Sequence, residues 1–289
     1  MFRSVTPKDE DQNADTGANR TLILILVATA VAIIALVSAA LFASHIWWLP
    51  VDISAHGHAI DRQLSETMVT SGALFVLSQL ALAVFAWRYG DRRDGRQVKT
   101  FPGGATPMVV FATVLVGAEV LALTFVGSKV WAGIYQTAPD PNSLQIDVQA
   151  EQFAFYFRYP GADRTFGAVH PERIDEASGN FFGLDPANDS TARDDIVVPS
   201  LAIPVNRPIL LTLRAKDVNH AFYVPELRIQ QDFVPGLVIP LHFTATQTGK
   251  HEIVCTQLCG LGHYNMRAYV EVMSQEQFDQ WLKERAAEQ

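Results

Sequence analysis

From Leu22 to Phe42 the chain is an almost unbroken run of Leu, Ile, Val and Ala. At about 1.5 Å of rise per residue a helix of that length matches the ~30 Å hydrocarbon core of a bilayer. Two further apolar runs follow. Ser71 to Trp87 is interrupted only by Ser78 and Gln79, and Pro107 to Val126 is apolar except for Glu119 and a few threonines. Three membrane-spanning helices are therefore expected. The first run is longer than the roughly 7–15 apolar residues of a secretory leader, and the segment before it is polar rather than basic, so it reads as a span that is retained.

Charge sets the orientation. Between the second and third runs lie Arg88, Arg92, Arg93, Arg96 and Lys99, and such a loop stays in the cytoplasm. The stretch from His45 to Thr70 carries only Arg62 and falls outside. The expected organisation is a cytoplasmic tail 1–20, spans at 21–44, 70–89 and 107–130, an outer loop 45–69, a basic loop 90–106, an outer domain 131–273 and a C-terminal helix 274–289. Trp47, Trp48, Trp131 and Tyr135 would sit at the outer interface. Glu119, inside the third run, is a proton-relay candidate because intramembrane carboxylates are costly and functional by default. Its bland alternative is a hydrogen bond to a neighbouring helix of another, catalytic subunit. His56 and His58 could hold a metal, yet no third ligand is near them in sequence, and a subunit contact is the commoner role.

After Pro139 the pattern changes. Ser143 to Ala150 alternates apolar and polar, the period of a half-buried strand. An aromatic run with Phe153 and Phe155 follows, then a turn-rich insertion at about 161–194. Strand-like runs recur at 196–199, 201–205, 208–214, 236–245, 249–254 and 267–272, which fits an all-β Greek-key sandwich. Ser274 and Gln277 form a capping-box pattern before a short helix with Phe278, Trp281 and Leu282 on one face.

The chemistry is concentrated in Cys255-Thr-Gln-Leu-Cys259-Gly-Leu-Gly-His263-Tyr-Asn-Met266, and the chain has no other cysteine. Two thiolates, an imidazole and a thioether form a soft donor set that favours copper over hard cations. A mononuclear blue-copper site needs one Cys, so a second suggests two ions bridged by two sulfurs. His220 is the candidate for the remaining strong ligand. A disulfide or a structural zinc site are the bland readings; the zinc site leaves Met266 unexplained. His242 and His251 match no ligand position and read as structural.

The segment from about 195 to 272 resembles the CuA domain of cytochrome c oxidase subunit II. The resemblance rests on Asp217-Val-x-His220, Val224-Pro225, Gln231-Asp232-x-x-Pro235-Gly236 and Cys-x3-Cys-x3-His-x2-Met. It implies N-terminal transmembrane helices followed by a cupredoxin-like Greek-key domain on the periplasmic side of a bacterial cell membrane. It implies dinuclear copper bridged by Cys255 and Cys259. His220 and Met266 would complete one copper; His263 and the Gln257 carbonyl would complete the other. The implied partners are the heme-copper catalytic subunit I, which holds the heme, cytochrome c or a similar carrier, and membrane lipid. No nucleic-acid partner is expected.

Three departures accompany the resemblance. Phe153 and Phe155 stand where the family has a Trp-x-Trp electron-entry pair, and both read here as core packing. Gln257 replaces the Glu that holds magnesium in many relatives, which puts a magnesium site in question. The usual channel acid at the start of the last span is missing. The departures bring in a CuA-containing nitric oxide reductase as the alternative reading, and a copper delivery or storage protein is the alternative from another class. From Trp131 onward the chain carries 12 Lys+Arg against 20 Asp+Glu, which equals the whole chain's net charge of −8. An acidic outer domain would steer a basic carrier.

Overall fold

The computed structural model describes residues 7–44, 49–89 and 105–288. Trp47, Trp48 and the basic loop residues Arg92, Arg93, Arg96 and Lys99 lie outside the described residues. Three long helices come first, α1 (Pro7–Ala43), α2 (Gly57–Tyr89) and α3 (Thr106–Tyr135). Within them Thr21–Ala43, Gly57–Arg88 and Thr106–Tyr135 are long and apolar enough to cross a membrane. Their large apolar side chains, such as Leu22, Phe75 and Phe111, are exposed in the isolated chain, as lipid contact requires.

The stretch expected as an outer loop is helical from Gly57 onward. Hydropathy marks only where the apolar run begins. The preceding turns are held by other means: Ile60, Leu64 and Met68 recur four residues apart, and Arg62 meets Glu66 one turn on at 2.8 Å.

Ten strands follow, β1 (Leu144–Glu151), β2 (Ala154–Tyr159), β3 (Ile196–Val198), β4 (Leu201–Pro204), β5 (Pro208–Ala215), β6 (His220–Val224), β7 (Ile229–Phe233), β8 (Ile239–Thr244), β9 (Gly249–Val254) and β10 (Arg267–Met273). A C-terminal helix, α4 (Gln275–Ala287), closes the chain. The strands make two five-stranded sheets, ordered β3-β2-β1-β5-β8 and β4-β10-β9-β6-β7. Alternate apolar residues from both sheets fill a single core, Ile146, Val148, Phe157 and Leu211 from one, Ile203, Phe222, Ile253 and Val270 from the other. Tyr159 ties the sheets together: its hydroxyl accepts from the Ala202 N–H at 2.7 Å and donates to the Ala202 carbonyl at 2.8 Å. This is a cupredoxin-like β domain behind apolar helices.

Strand β1 is buried on both faces, with Asp147, Gln149 and Glu151 as well hidden as its apolar residues. The 161–194 insertion covers the outward face. Gln149 donates to the Phe181 carbonyl at 2.6 Å. The buried Arg158 guanidinium donates to Asp147, to Asp195 at 3.1 Å and to the Gly167 carbonyl at 3.0 Å. Phe166 and Phe182 stack on it, 4.7 and 5.1 Å from its carbon to the ring centres. Burial pushes the Asp195 carboxyl up to about 6, against the opposing pull of the Gly167 N–H and the Arg158 charge.

Residues 49–61 belong to the same compact unit as residues 127–289. Ile53 enters the core. Ser54 pairs antiparallel with Ala245, just past the end of β8. The Ala55 N–H donates to the Thr244 carbonyl at 3.0 Å, and the Thr246 N–H to the Ile53 carbonyl at 2.7 Å. Arg228 clamps Asp61 through its Nε at 2.7 Å.

At α4 the predicted capping box is formed. The Gln277 N–H donates to Ser274 Oγ at 3.2 Å, and the Gln277 side chain accepts from the Ser274 N–H at 3.0 Å. The helix then lays Phe278 and Trp281 against the Tyr159 ring. Replacing Ser274 by Ala should cost about 1 kcal/mol. The check is a fall of a few degrees in Tm with the β-sheet circular dichroism signal unchanged.

Candidate metal centre

Three chain segments meet at one end of the sandwich. His220 opens β6, where it lies opposite Phe233 of β7. Cys255 directly follows β9 and Met266 directly precedes β10. The Cys255 N–H donates to the Met266 carbonyl at 3.2 Å, closing the neck of the loop between them. The β9–β10 register thus fixes both ends of the loop, and the loop fixes the ligands.

Glycine allows the loop to curl. Gly260 has a φ of 136°, a region that side-chain-bearing residues rarely adopt. A Cβ at Gly260 would lie 2.7 Å from Gln152 Nε2 and 3.2 Å from the Phe153 ring; one at Gly262 would lie 2.4 Å from that ring. Phe153 fills the notch that the two glycines leave, and Gln152 donates from Nε2 to the Cys259 carbonyl at 2.6 Å. The β1–β2 turn therefore braces the cysteine loop.

The sulfurs of Cys255 and Cys259 are 3.9 Å apart. Cys259 Sγ is 3.7 Å from Met266 Sδ and 3.6 Å from His263 Nδ1. The Gln257 carbonyl oxygen is 3.1 Å from Cys255 Sγ. One donor atom from each of His220, Cys255 and Cys259 lies within 4.8 Å of the other two. His220, Cys255, Cys259 and Met266 are buried, while the Gln257 side chain points to solvent.

These residues fit a copper site. Thiol, thioether and imidazole form a soft-to-borderline donor set. His220 Nε2 is held by Asp217 Oδ1 at 2.8 Å, while its buried Nδ1 has no hydrogen-bond partner among the described residues. A carboxylate on one ring nitrogen and a free lone pair on the other is the arrangement of a metal-ligating histidine. Two sulfurs 3.9 Å apart can both touch one ion at a thiolate–metal distance of ~2.3 Å.

The two thiols are electrostatically unlike. Burial pushes the Cys255 thiol up, but the His220 imidazole, the Ala221 and Gln257 backbone and His263 outweigh it and bring it down to about 6. Burial and the neighbouring Cys255 raise Cys259 to about 11. Burial lowers the His220 imidazole, and Cys255 and Asp217 more than offset it, so the net shift is upward.

The two aromatic residues behave differently. Phe155 is core, its ring centre 5.8 Å from that of Phe233. Phe153, read from sequence as core packing too, is 39% exposed. It sits in the β1–β2 turn rather than on a strand, so alternation does not apply to it. Glu119 accepts from Ser71 Oγ of α2, a helix of this same chain, at 3.2 Å. His251 lies 3.7 Å from Glu226.

Two contributors carried little sequence signal. Asp217, three residues before His220, is part of the quoted motif, but only the structure gives it the task of orienting the ring. Gln152 bonds a residue 107 positions away, and nothing local marks it. Asp217→Asn should keep the fold and weaken copper binding about 10- to 100-fold, measured by competition with a copper chelator.

Apolar helices leading to a cupredoxin-like domain with clustered soft ligands define a membrane-attached protein of the metal-centre kind. Residues 185–273 match the family model described as cytochrome C oxidase subunit II, periplasmic domain. The chain is 31% identical over 240 residues to the alternative cytochrome c oxidase subunit 2 of Bradyrhizobium diazoefficiens, covering 82% of this chain and 83% of that one. It is 28% identical over 262 residues to cytochrome c oxidase subunit 2 of Thermostichus vulcanus, covering 83% and 79%. The crystal structure of the periplasmic domain of subunit II of cytochrome oxidase of Bradyrhizobium japonicum is 22% identical and aligns with 52% of this chain and 99% of that one at a TM-score of 0.39. The chain belongs to the cytochrome c oxidase subunit II family, and it is the second subunit of a heme-copper oxidase. Membership implies copper.

Proposed function

We propose that this chain is the electron-entry subunit of its oxidase, passing electrons from cytochrome c or a similar carrier to heme in catalytic subunit I. The observation that supports it best is the pair of buried sulfurs 3.9 Å apart beside the partnerless Nδ1 of His220. A dinuclear copper centre, when bound, supplies reversible one-electron exchange with the charge shared by two ions. The protein's part is ligation and rigidity. Cys255 and Cys259 would bridge both ions; His220 and Met266 would serve one, His263 and the Gln257 carbonyl the other. Asp217 holds the His220 ring, and Gln152 and Phe153 hold the loop, so little rearranges when the charge changes. Phe222 and Phe233, both buried, keep the inner side dry. Phe153 stands half exposed over the loop, where a carrier would approach.

The topology belongs to the same proposal. The basic loop faces the cytoplasm and the cupredoxin-like domain faces the periplasm, with membrane lipid around the helices. The terminal acceptor, oxygen or nitric oxide, is decided by subunit I. Gln257, neutral and solvent-facing, is not expected to hold magnesium. The test is electron paramagnetic resonance with a copper count on the full chain in detergent. Two coppers per chain and one electron shared equally between them are expected. One copper with an ordinary four-line signal would overturn the dinuclear reading.

A further inference from the structure

A cavity of about 340 Å³ lies at the edge of the first sheet, away from the cysteine loop. Its lining includes His56, Asp140, Ser143 and His242. The register explains how two histidines 186 positions apart reach it. Strand β8 is the edge strand. Its Leu241 and Phe243 face the core, so His242 and Thr244 face the other way. The 53–55 segment pairs beyond the end of β8 through Ser54 and Ala245, and the Ala55 N–H is bonded to the Thr244 carbonyl. His56 is the next residue, and it arrives beside the His242 face of the strand.

Three buried polar atoms without a hydrogen-bond partner among the described residues belong to lining residues of this cavity: His56 Nε2, His242 Nε2 and Ser143 Oγ. Buried polar groups in native proteins are rarely left so. The His56 imidazole is close enough to the Leu227 and Arg228 backbone and to His242 for each to act on it. The surroundings are acidic rather than basic: Asp52 acts on His56, and Asp140 lines the cavity. A cation suits this charge better than an anion. Two imidazoles with no sulfur suit zinc, copper(II) or nickel rather than a hard cation.

We propose that His56 and His242 form a second metal site, distinct from the cysteine loop, which takes one borderline divalent ion of the zinc type through their Nε2 atoms. Water would fill its remaining positions. Such an ion would staple the 49–61 segment to the edge of the sheet. His58, the neighbouring histidine in sequence, is exposed and takes no part.

The test is zinc binding to the full chain in detergent, in a Cys255→Ser/Cys259→Ser background that removes the thiolate site, read by isothermal titration and by X-ray absorption. One zinc per chain is expected, with nitrogen ligands at about 2.0–2.1 Å. His56→Ala and His242→Ala should each weaken binding more than about ten-fold, since losing a ligand costs at least as much as losing its backing. His58→Ala should bind as the parent does. Zinc should raise the Tm of the parent and of His58→Ala only, and zinc-free melts check that each variant folds. The proposal is overturned by a parent that binds no zinc, which leaves the cavity to solvent. Binding that survives in folded His56→Ala and His242→Ala overturns it equally.

Discussion

Replacing Cys255 or Cys259 by serine is expected to reduce copper from two ions per chain to one or none and to abolish the shared-electron resonance signal. Serine keeps the shape and the hydrogen-bonding capacity of the side chain. It lacks the soft, easily ionised sulfur that would let one side chain bridge two ions. The sulfurs stand 3.9 Å apart and each has other donors within 4 Å, so neither cysteine is redundant. The apo fold should survive. Both residues are small, and a buried thiol-to-hydroxyl change costs on the order of 1–2 kcal/mol. Copper analysis and resonance spectra of the two variants, beside thermal melts of the copper-free chains, separate loss of the centre from loss of the fold. A serine variant that keeps two coppers and a shared electron would refute the bridging role.

The second large effect lies far from the copper loop. Arg158→Met should cost about 3–5 kcal/mol near neutral pH, because it leaves Asp147 and Asp195 buried without their cation. The methionine fills much of the same space between Phe166 and Phe182, so the loss reports charge rather than volume. The pH dependence has a definite sign. Asp195 in the folded protein holds its proton up to about pH 6, well above a carboxyl in an unfolded chain at about 3.9. The folded state therefore binds more protons between those values. Its contribution to stability is fully present below about pH 4 and is lost as pH rises through 6. In Arg158→Met the Asp195 carboxyl loses the pull of the Arg158 charge and shifts further upward, and the variant should regain part of its loss between pH 7.5 and 5. Urea unfolding of the full chain in detergent at the two pH values measures this. A variant as stable as the parent at pH 7.5 would mean that water already reaches the cluster.

Much of this was legible in the residues, for reasons that are local. Alternation placed the strand around Ile146, strand-like runs placed those around Leu211 and Val270, and the Ser274–Gln277 pattern placed the start of α4. The loop motif brought Cys255, Cys259, His263 and Met266 together because strand ends and a glycine-bearing loop are read over a few residues, and the family resemblance added His220 to them. What was hidden depends on long-range pairing. His56 and His242 each looked roleless, since only the pairing of Ser54 with Ala245 makes them neighbours. The 161–194 insertion read as turn chemistry, yet it buries Arg158, Asp147 and Asp195, an ion cluster that burial statistics argue against in advance. Phe153 was misplaced because a turn breaks the period of two, and the start of α2 because apolar content is a poor guide to where a helix begins.

Ile53, Ser54 and Asp61 make the β domain discontinuous in the chain. A polypeptide that starts after α3 would lack the apolar plug at Ile53, the extra strand pairing beyond β8 and the carboxylate that holds Arg228. During synthesis, residues 49–61 emerge before two more helices have been made, and they must wait for β8 before they find their place. A soluble version of this domain that starts after α3 lacks these contacts unless the 49–61 peptide is grafted back on or supplied in trans. The end that carries the cysteine loop, built wholly from later strands, would not reveal the omission.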